Sequence, residues 1–325
     1  IFGVPMEALV LKSTGSWYRL QFADGTQADA RLRGALRLAG SRATNPVAVG
    51  DQVDVVPESE GRWAITGVHE RRNHLVRKSV NLSHKSQVIA ANIDQAVLIA
   101  TVAEPVTLYG FMDRFLATAE AYRIPTVIAF NKVDALDEAS EAELTYREAA
   151  YGQAGYQTLR VSAETGEGLE ALREVLRGKV SLFSGHSGVG KSSLANRLQP
   201  GLDLRTGAIS SAHGQGQHTT TFAEMHPLDL GGFLIDTPGI RGFGLVDMER
   251  EEISHYFPEV FALSPQCRFG NCIHADEPGC AVRDAYEGNK LAPTRYESYL
   301  SMLAGDDDQD PYRHGAFNDV KSRKQ

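Results

Sequence analysis

A glycine-rich run in the middle of the chain has the residue types and spacing that bind a polyphosphate. Residues 185–193 read GHSGVGKSS, match GxxxxGK(S/T), and lie between an apolar strand pattern and a helix start. Glycines let backbone N–H groups turn towards phosphates, and the helix N-terminus adds positive potential. We predict that Lys191 binds the β and γ phosphates and acts in catalysis, and that the Ser192 hydroxyl ligates Mg²⁺. The complete predicted loop is Gly185, His186, Ser187, Gly188, Val189, Gly190, Lys191, Ser192 and Ser193.

A second phosphate element follows at residues 232–239, which read GFLIDTPG. The apolar run predicts a buried strand that delivers Asp236 to the same sheet edge as the phosphate loop. We predict that Asp236 holds Mg²⁺ through water and that the Gly239 N–H faces the γ phosphate. An acid before a turn is common by itself, so this assignment depends on the phosphate loop upstream.

Four residues after another apolar strand pattern can select the base. Asn131, Lys132, Val133 and Asp134 follow the strand predicted at Thr126–Phe130. The Asp134 carboxylate can accept hydrogen bonds from N1–H and the exocyclic amine of guanine, whereas adenine presents a lone pair at N1. Two charge-assisted hydrogen bonds of about 1.5–3 kcal/mol each give a strong preference for guanine. We place Asn131 at the N7/O6 edge and the stem of Lys132 over the base.

The order of these motifs is unusual. Ser162 and Ala163, after the next strand, offer a backbone N–H to the guanine oxygen, and they too precede the phosphate loop. Ras-like GTPases begin with the phosphate loop instead. The sheet is unchanged if the chain is cut and rejoined elsewhere, because domain termini often lie close together and tolerate permutation. We predict a circularly permuted domain in which loss of the γ phosphate shifts the C-terminal module that follows.

A polar, glycine-hinged segment between the two phosphate elements has the composition of a nucleotide switch. Residues 214–221 read GQGQHTTT, and we expect Thr220 to complete the magnesium shell. Ile240 stands where Ras-like enzymes place a water-orienting glutamine, and it cannot form a hydrogen bond. We therefore predict that His218 orients the attacking water once a partner orders the segment, and that unaided turnover is slow. An ordinary polar surface loop is the alternative.

All three cysteines of the chain lie in one short stretch. The spacing Cys267-x4-Cys272-x-His274-x5-Cys280 brings three thiolates and an imidazole together. An odd number of cysteines argues against a disulfide framework, and four such ligands suit a closed, tetrahedral structural zinc site. Unligated thiols beside a chance histidine are the alternative.

The N-terminal part alternates apolar and polar residues between turns, which predicts a small β barrel of the oligonucleotide-binding (OB) type. The predicted strands are Glu7–Leu11, Trp17–Phe22, Gln52–Val56 and Trp63–Val68, with an Asp24-Gly25 hairpin turn. Residues 69–85 form a basic connector, which contacts phosphates or serves only as a solvated linker. The candidate RNA contacts are Arg71, Arg72, Arg77 and Lys78.

Strand and helix patterns alternate from residue 93 onwards, which predicts a parallel sheet covered on both faces. The strands are predicted at Ala96–Ala100, Thr126–Phe130, Thr158–Val161 and Val180–Phe183. The helices are predicted at Leu108–Tyr122, Glu138–Tyr151 and Leu169–Leu176, with a further helix at Leu291–Leu303. The domains are predicted at 1–73 (barrel), 74–245 (permuted P-loop domain) and 246–325 (zinc-binding helical module).

Size and charge narrow the class of protein. A chain of 325 residues predicts several domains. The net charge of −8 excludes a uniformly basic nucleic-acid binder, but residues 1–79 carry +3 and the rest −11. The chain has no apolar run of the roughly 18–20 residues that cross a bilayer, and its start does not resemble a signal peptide. We expect a cytoplasmic monomer without membrane contact.

The chain resembles the family of ribosome small-subunit-dependent GTPase A, RsgA (YjeQ). The resemblance rests on the order NKVD, SA, GHSGVGKSS, HTTT, DTPG and on the position of these motifs between a barrel and the Cys/His module. The resemblance covers nearly the whole chain. It implies a late-acting factor in assembly of the bacterial 30S subunit that binds 16S rRNA. It also implies that the factor hydrolyses GTP when the subunit stimulates it and is released by that hydrolysis.

Other function classes stay open at this point. The chain could be an RNA-binding scaffold with GTP as a structural ligand, or a permuted GTPase of the large subunit. The zinc module disfavours the second of these. An ATPase fits poorly with Asp134.

Overall fold

The structure is a computed structural model, and it describes residues 5–33, 46–58, 61–78, 86–204, 223–236 and 248–305. The N-terminal part forms the predicted barrel. Its strands are β1 Met6–Ser13, β2 Tyr18–Gln21, β3 Gln27–Leu32, β4 Gln52–Pro57 and β5 Trp63–Val68. They pair in the order β1-β2-β3-β5-β4, and β4 closes onto β1. Alternate side chains such as Val10, Leu20 and Ile65 fill the interior, so the period-two pattern accounts for the barrel.

The basic connector is partly a strand, so its reading as a solvated linker is wrong for residues 74–78. Strand β6, His74–Lys78, pairs antiparallel with β7, Ser86–Ala91. Leu75, Val88 and Ala90 are buried and fasten this hairpin to the rest of the protein. The sequence pattern does not predict β6, because only one of its residues, Leu75, belongs to the main apolar core beneath the hairpin.

The central domain is an α/β sheet. Its elements are β8 Gln95–Ala100, α1 Tyr109–Ala121, β9 Thr126–Phe130, α2 Glu138–Gln153, β10 Gln157–Arg160, α3 Leu169–Leu176, β11 Val180–Ser184, α4 Lys191–Leu198, β12 Glu224–Pro227 and β13 Phe233–Asp236. The predicted strands and helices up to β11 are confirmed to within two residues at each end. Within the described residues no helix is both long and apolar enough to cross a membrane.

Strand β8 occupies the middle of this sheet. Within this domain the order is β10-β9-β8-β11-β13-β12, and all neighbours are parallel except β13 and β12, which are antiparallel. Strands β9 and β11 therefore flank β8, although a long stretch of chain separates them. Because parallel strands end at one edge, the segments that follow β9, β11 and β13 meet there.

The barrel joins the central sheet through backbone hydrogen bonds. Strand β1 pairs antiparallel with β12, and Lys12 Nζ lies 2.6 Å from Glu224 Oε2 at the paired position. On the other side, Asn92 Nδ2 donates to Gly50 O at 2.9 Å. Gly50 has φ +87°, and a Cβ there would lie 2.1 Å from Ala91 O, so only glycine permits this close approach.

The C-terminal module is helical, as predicted. A 3-10 helix at Arg250–Tyr256 precedes α5 Pro258–Leu263, a 3-10 turn at Ser264–Gln266, α6 Ala281–Glu287 and α7 Pro293–Ala304. The helix expected at Leu291–Leu303 is confirmed as α7. It begins at Pro293, which suits a first helical position because proline has no N–H to satisfy.

One buried arginine fastens the module to the central domain. Arg295 on α7 is 1% exposed. Its Nη1 donates to Asp113 Oδ1 on α1 at 2.7 Å, and its Nε donates to Glu259 Oε1 on α5 at 2.6 Å. Burial alone would lower the pKa of Arg295, but the two carboxylates raise it well above its ordinary value. The guanidinium is therefore charged and ties α1, α5 and α7 together.

Replacing this arginine should be costly. Arg295→Met keeps much of the side-chain volume but leaves Asp113 and Glu259 without their cation. Removing one partner of a buried ion pair costs about 3–5 kcal/mol, and we expect that loss in the free energy of unfolding measured by urea denaturation of the metal-loaded protein. The control is Arg283→Met, which breaks an exposed pair with Glu287 and should leave the midpoint unchanged. Equal midpoints for the two variants would contradict a structural role for Arg295.

Candidate nucleotide site and metal centre

The phosphate loop connects β11 to α4 and requires glycine at two positions. Gly185 has φ +146°, and a Cβ there would lie 2.3 Å from Ile99 O on β8. Gly190 has φ +92°, and its Cβ would lie 2.4 Å from Asn131 Nδ2. Side chains at either position would push the loop away from β8 and from the segment after β9. The glycines of the motif are therefore required by packing as well as by the turn.

Lys191 is held at the mouth of the loop. Its Nζ donates to Gly185 O and to His186 O, each at 2.8 Å. Burial lowers the pKa of Lys191, and the Asp236 carboxylate opposes that shift. Asp236 ends β13 in register with Phe183 on β11. The structure thus brings a cation and a carboxylate from the two predicted phosphate elements to one place, with Ser192 in the first turn of α4.

Asn131 connects three of the predicted motifs. Its side chain is buried. The amide Nδ2 donates to Val189 O in the phosphate loop at 2.8 Å, and Oδ1 accepts from the Ala163 N–H at 3.2 Å. Lys132 follows in a left-handed conformation, with φ +65°, and its Nζ donates to Glu104 O at 2.8 Å. The predicted base-selecting turn, residues 131–134, is therefore joined by hydrogen bonds to the phosphate loop and to the segment after β10.

The Asp134 carboxylate is oriented by a serine. Ser162 Oγ donates to Asp134 Oδ1 at 2.5 Å and accepts from the Thr165 N–H at 3.0 Å. Sequence reasoning assigned only a backbone role to Ser162–Ala163 and missed this hydroxyl. The available signal was the serine of the Ser162–Ala163 pair, whose hydroxyl can form a hydrogen bond as well as its backbone.

A further set of polar residues near the loop had no sequence signal. Thr101 and Thr107 lie in the loop between β8 and α1, and both are buried. Thr107 Oγ1 lies 2.8 Å from His186 Nε2 in the phosphate loop. No motif marks these threonines, because they meet His186 only across the sheet edge.

Several predicted residues fall outside the described residues. These are His218, Thr220 and Gly239. The side chains of Arg77 and Lys78 also lie outside the described set. Of the other candidate RNA contacts, Arg71 forms an ion pair with the buried Asp51, through Nε–Oδ1 at 2.6 Å and Nη2–Oδ2 at 2.7 Å. Arg72 is 63% exposed and reaches Asp94 at 2.8 Å.

The four predicted metal ligands converge. The ligand atoms of Cys267, Cys272, His274 and Cys280 all lie within 4.8 Å of one another. His274 Nδ1 lies 3.5 Å from Cys267 Sγ and 3.6 Å from Cys280 Sγ, and the two sulfurs are 4.0 Å apart. A tetrahedral zinc site with bonds of about 2.3 Å to sulfur and about 2.0 Å to nitrogen has S···S edges of about 3.8 Å and S···N edges of about 3.5 Å. The cluster can hold such an ion.

Surrounding residues orient the histidine of this cluster. Ser264 Oγ donates to Val260 O at 2.9 Å, so its oxygen accepts from His274 Nε2–H at 3.0 Å. That hydrogen bond fixes the proton on Nε2 and leaves the Nδ1 lone pair facing the thiols. Tyr296 OH donates to His274 O at 2.7 Å and supports its left-handed backbone.

The comparisons agree with this geometry. Residues 68–246 match the RsgA GTPase family, and residues 7–65 match the RsgA N-terminal domain. The chain belongs to the RsgA GTPase family. It is therefore a GTPase, and the expected combination of OB-like barrel, permuted GTPase domain and Cys/His module is confirmed.

Similar RsgA proteins span nearly the whole chain. The small ribosomal subunit biogenesis GTPase RsgA of Bacteroides fragilis is 53% identical over 308 residues, 95% of this chain and 99% of that protein. Its counterpart in Flavobacterium psychrophilum is 50% identical over 317 residues, 97% of each chain.

Two solved structures share the fold. The crystal structure of YjeQ from Thermotoga maritima superposes with a TM-score of 0.78 at 35% identity, covering 93% of this chain and 98% of that one. YloQ, described as a circularly permuted GTPase, gives a TM-score of 0.73 at 28% identity, covering 96% and 98%.

The metal centre gives a direct test. We expect the purified protein to contain about one equivalent of zinc, measured by inductively coupled plasma mass spectrometry. Cys280→Ser should lose the zinc and have a lower Tm, because structural zinc contributes folding free energy. Ser264→Ala should keep the four ligands but weaken zinc affinity by about 10–100-fold, since it removes the hydrogen bond that orients His274. A chelator-treated protein with an unchanged Tm would show that the cluster is not a structural metal site.

Proposed function

We propose that this GTPase acts in late assembly of the bacterial small ribosomal subunit, binds 16S rRNA, and is released when the subunit stimulates GTP hydrolysis. The observation that carries the proposal is the single site made by Asn131, Asp134, Val189 and Lys191, in a chain whose RsgA relatives are named for small-subunit biogenesis. Bacterial small subunits assemble in the cytoplasm, and we propose that the GTPase acts there. We propose that it acts there as a monomer.

Guanine recognition rests on Asp134. The Ser162 hydroxyl holds one carboxylate oxygen, so the carboxylate has a defined orientation towards N1–H and the amine of guanine. Asn131 faces the N7/O6 edge, and the Lys132 stem covers the base. We also place Val133 and Ala163 at the pocket, where the Ala163 N–H would exchange its contact with Asn131 Oδ1 for the guanine oxygen. Because adenine presents a lone pair where guanine presents N1–H, the same carboxylate rejects ATP.

Phosphate binding rests on Lys191 and the loop N–H groups of residues 185–193. The Lys191 ammonium already lies at the loop mouth, where it can exchange two carbonyl contacts for phosphate oxygens. Ser192 and Asp236 offer a hydroxyl and a carboxylate, which are the hard oxygen donors that Mg²⁺ prefers. Together with Thr220 they would hold that ion, which neutralises charge on the β and γ phosphates when bound. We propose that the Gly239 N–H donates a hydrogen bond to a γ-phosphate oxygen.

Hydrolysis needs a positioned water. We assign its orientation to His218, since Ile240 lacks a hydrogen-bonding group. Water attacks the γ phosphorus, the bond from that phosphorus to the β–γ bridging oxygen breaks, and GDP and phosphate are the products. We propose that binding to the small subunit places His218 beside the attacking water and Thr220 beside the magnesium ion.

The barrel offers the surface for rRNA. Trp17 is 44% exposed, and the Arg62 guanidinium lies 5.7 Å from its ring centroid. An exposed aromatic ring beside a cation stacks unpaired bases well. Arg72 pairs with Asp94, but its side chain is 63% exposed and can still reach a phosphate, and Arg77 and Lys78 are further candidates. We leave Arg71 out because its guanidinium is paired with Asp51.

Replacing Asp134 tests the choice of base. Asp134→Asn removes the charge from two hydrogen bonds and places an amide N–H against guanine, so we expect GTP affinity to fall by at least about 100-fold in calorimetric titrations. Xanthosine triphosphate should recover most of that loss, because its C2 oxygen accepts from the new amide. The control is Asp137→Asn at the N-cap of α2, where asparagine caps equally well. Unchanged GTP binding by Asp134→Asn would refute the assignment.

Replacing His218 tests the hydrolysis proposal. We expect slow GTP turnover alone and strong stimulation by small subunits but not by large subunits. His218→Ala should retain GTP binding but lose at least about 100-fold of the stimulated rate. The control is His213→Ala in the same segment, which should behave like the unchanged protein. Full stimulation of His218→Ala would overturn its role, and equal stimulation by large subunits would overturn the proposed partner.

A further inference from the structure

The loop of residues 101–107, between β8 and α1, is closed at its base by hydrogen bonds between its two ends. The Thr107 N–H donates to Thr101 O at 2.8 Å, and the Thr101 N–H donates to Thr107 Oγ1 at 2.9 Å. Thr107 O accepts from the buried Arg147 Nη1 on α2 at 2.6 Å. Thr107 itself is 0% exposed. This loop, named here the 101–107 loop, is therefore a rigid unit anchored to α2.

His186 of the phosphate loop contacts the closed end of the 101–107 loop, where Thr101 and Thr107 meet. His186 Nδ1 lies 2.9 Å from Ser187 O, and a carbonyl can only accept, so Nδ1 carries the proton. Nε2 then accepts from the Thr107 hydroxyl at 2.8 Å. The His186 ring also packs edge-on against Phe111 of α1, with centroids 5.6 Å apart. The contact is thus directional and buried, and it sets where the start of the phosphate loop lies relative to α1.

The tip of the same loop touches both halves of the nucleotide site. Pro105 packs against the phosphate loop so closely that a Cβ on Gly188 would lie 3.1 Å from Pro105 Cγ. One residue earlier, Glu104 O accepts from Lys132 Nζ of the base-selecting turn at 2.8 Å. The phosphate loop follows β11 and the base-selecting turn follows β9, so they lie on opposite sides of β8. The 101–107 loop follows β8 and spans the gap between them.

We propose that the 101–107 loop positions the phosphate loop and Lys132 together, and that His186 and Thr107 are the positioning residues which couple base binding to phosphate binding. The proposal rests on the proposed function, since it takes GTP and GDP as the ligands of this site. The side chains of His186 and Thr107 do not have to touch the nucleotide. Their contribution is to hold the two halves at the spacing that one nucleotide spans, which reduces the ordering that binding would otherwise require.

A matched pair of variants isolates the hydroxyl. Thr107→Val keeps the shape but removes the hydroxyl that bonds to the Thr101 N–H and to His186 Nε2, and we expect about 10-fold weaker binding of both GTP and GDP. Thr107→Ser restores the hydroxyl and should bind within about 2-fold of the unchanged protein. Because the contact is the same in the ground and transition states, KM for GTP in the subunit-stimulated reaction should rise while kcat stays constant. A role in stability alone would lower Tm and leave KM unchanged.

Coupling is tested by a double variant. Lys132→Met keeps the stem over the base but removes the hydrogen bond to Glu104 O. If the 101–107 loop joins the two halves, the combined variant Thr107→Val/Lys132→Met loses less GTP affinity than the product of the separate losses. Losses that simply multiply would overturn the coupling, and wild-type affinity in Thr107→Val would overturn the positioning role. Failure of the unchanged protein to bind GTP would instead overturn the proposed function, and the inference with it.

Discussion

The buried amide of Asn131 is the contact on which the nucleotide site depends. Its donor is used by Val189 O and its acceptor by the Ala163 N–H, so one side chain joins the segments after β9, β10 and β11. An aspartate would lose the donor and a leucine would lose both groups, and each would leave buried polar atoms without partners. The contact exists because parallel strands end at one edge and because Gly190 leaves room for the amide.

The other two parts of the protein attach to different sides of this central domain. The barrel continues the sheet at β12, the strand that follows the predicted switch segment, through β1 pairing and the Lys12–Glu224 ion pair. The C-terminal module packs on α1 through Arg295 and a shared apolar cluster that includes Ala117 and Phe257. A movement of β12 would therefore act on the barrel directly, through the backbone pairing of β12 with β1. The shift of the C-terminal module on loss of the γ phosphate stays a prediction, and it requires α1 to move as well or the Arg295–Asp113 contact to break.

Local patterns predicted most of the elements, and they failed where tertiary contacts outweigh them. The strands around β8 are continuous apolar runs because both faces of a parallel sheet are buried, so they were visible. Strand β6 was not, because only one of its residues, Leu75, belongs to the apolar core. Arg71 looked like a phosphate contact from its composition, but the buried Asp51 holds its guanidinium. A run of arginines indicates charge and says nothing about which of them already has an internal partner.

The sequence by itself determined which chemical groups the protein carries: a phosphate loop, a turn predicted to select guanine, a Cys/His cluster that can hold a metal ion, and the permuted order in which they occur. The first three are local properties, because glycine, carboxylate, thiol and imidazole groups act through their type and their spacing along a few residues, and the order is read directly along the chain. Only the tertiary structure decided how these groups cooperate, including the Asn131 amide, the serine behind Asp134, the threonine behind His186 and the arginine beneath the C-terminal module. Those contacts join residues that are far apart in the chain, and their geometry is set by the strand order and the packing of helices, which no short stretch of sequence records.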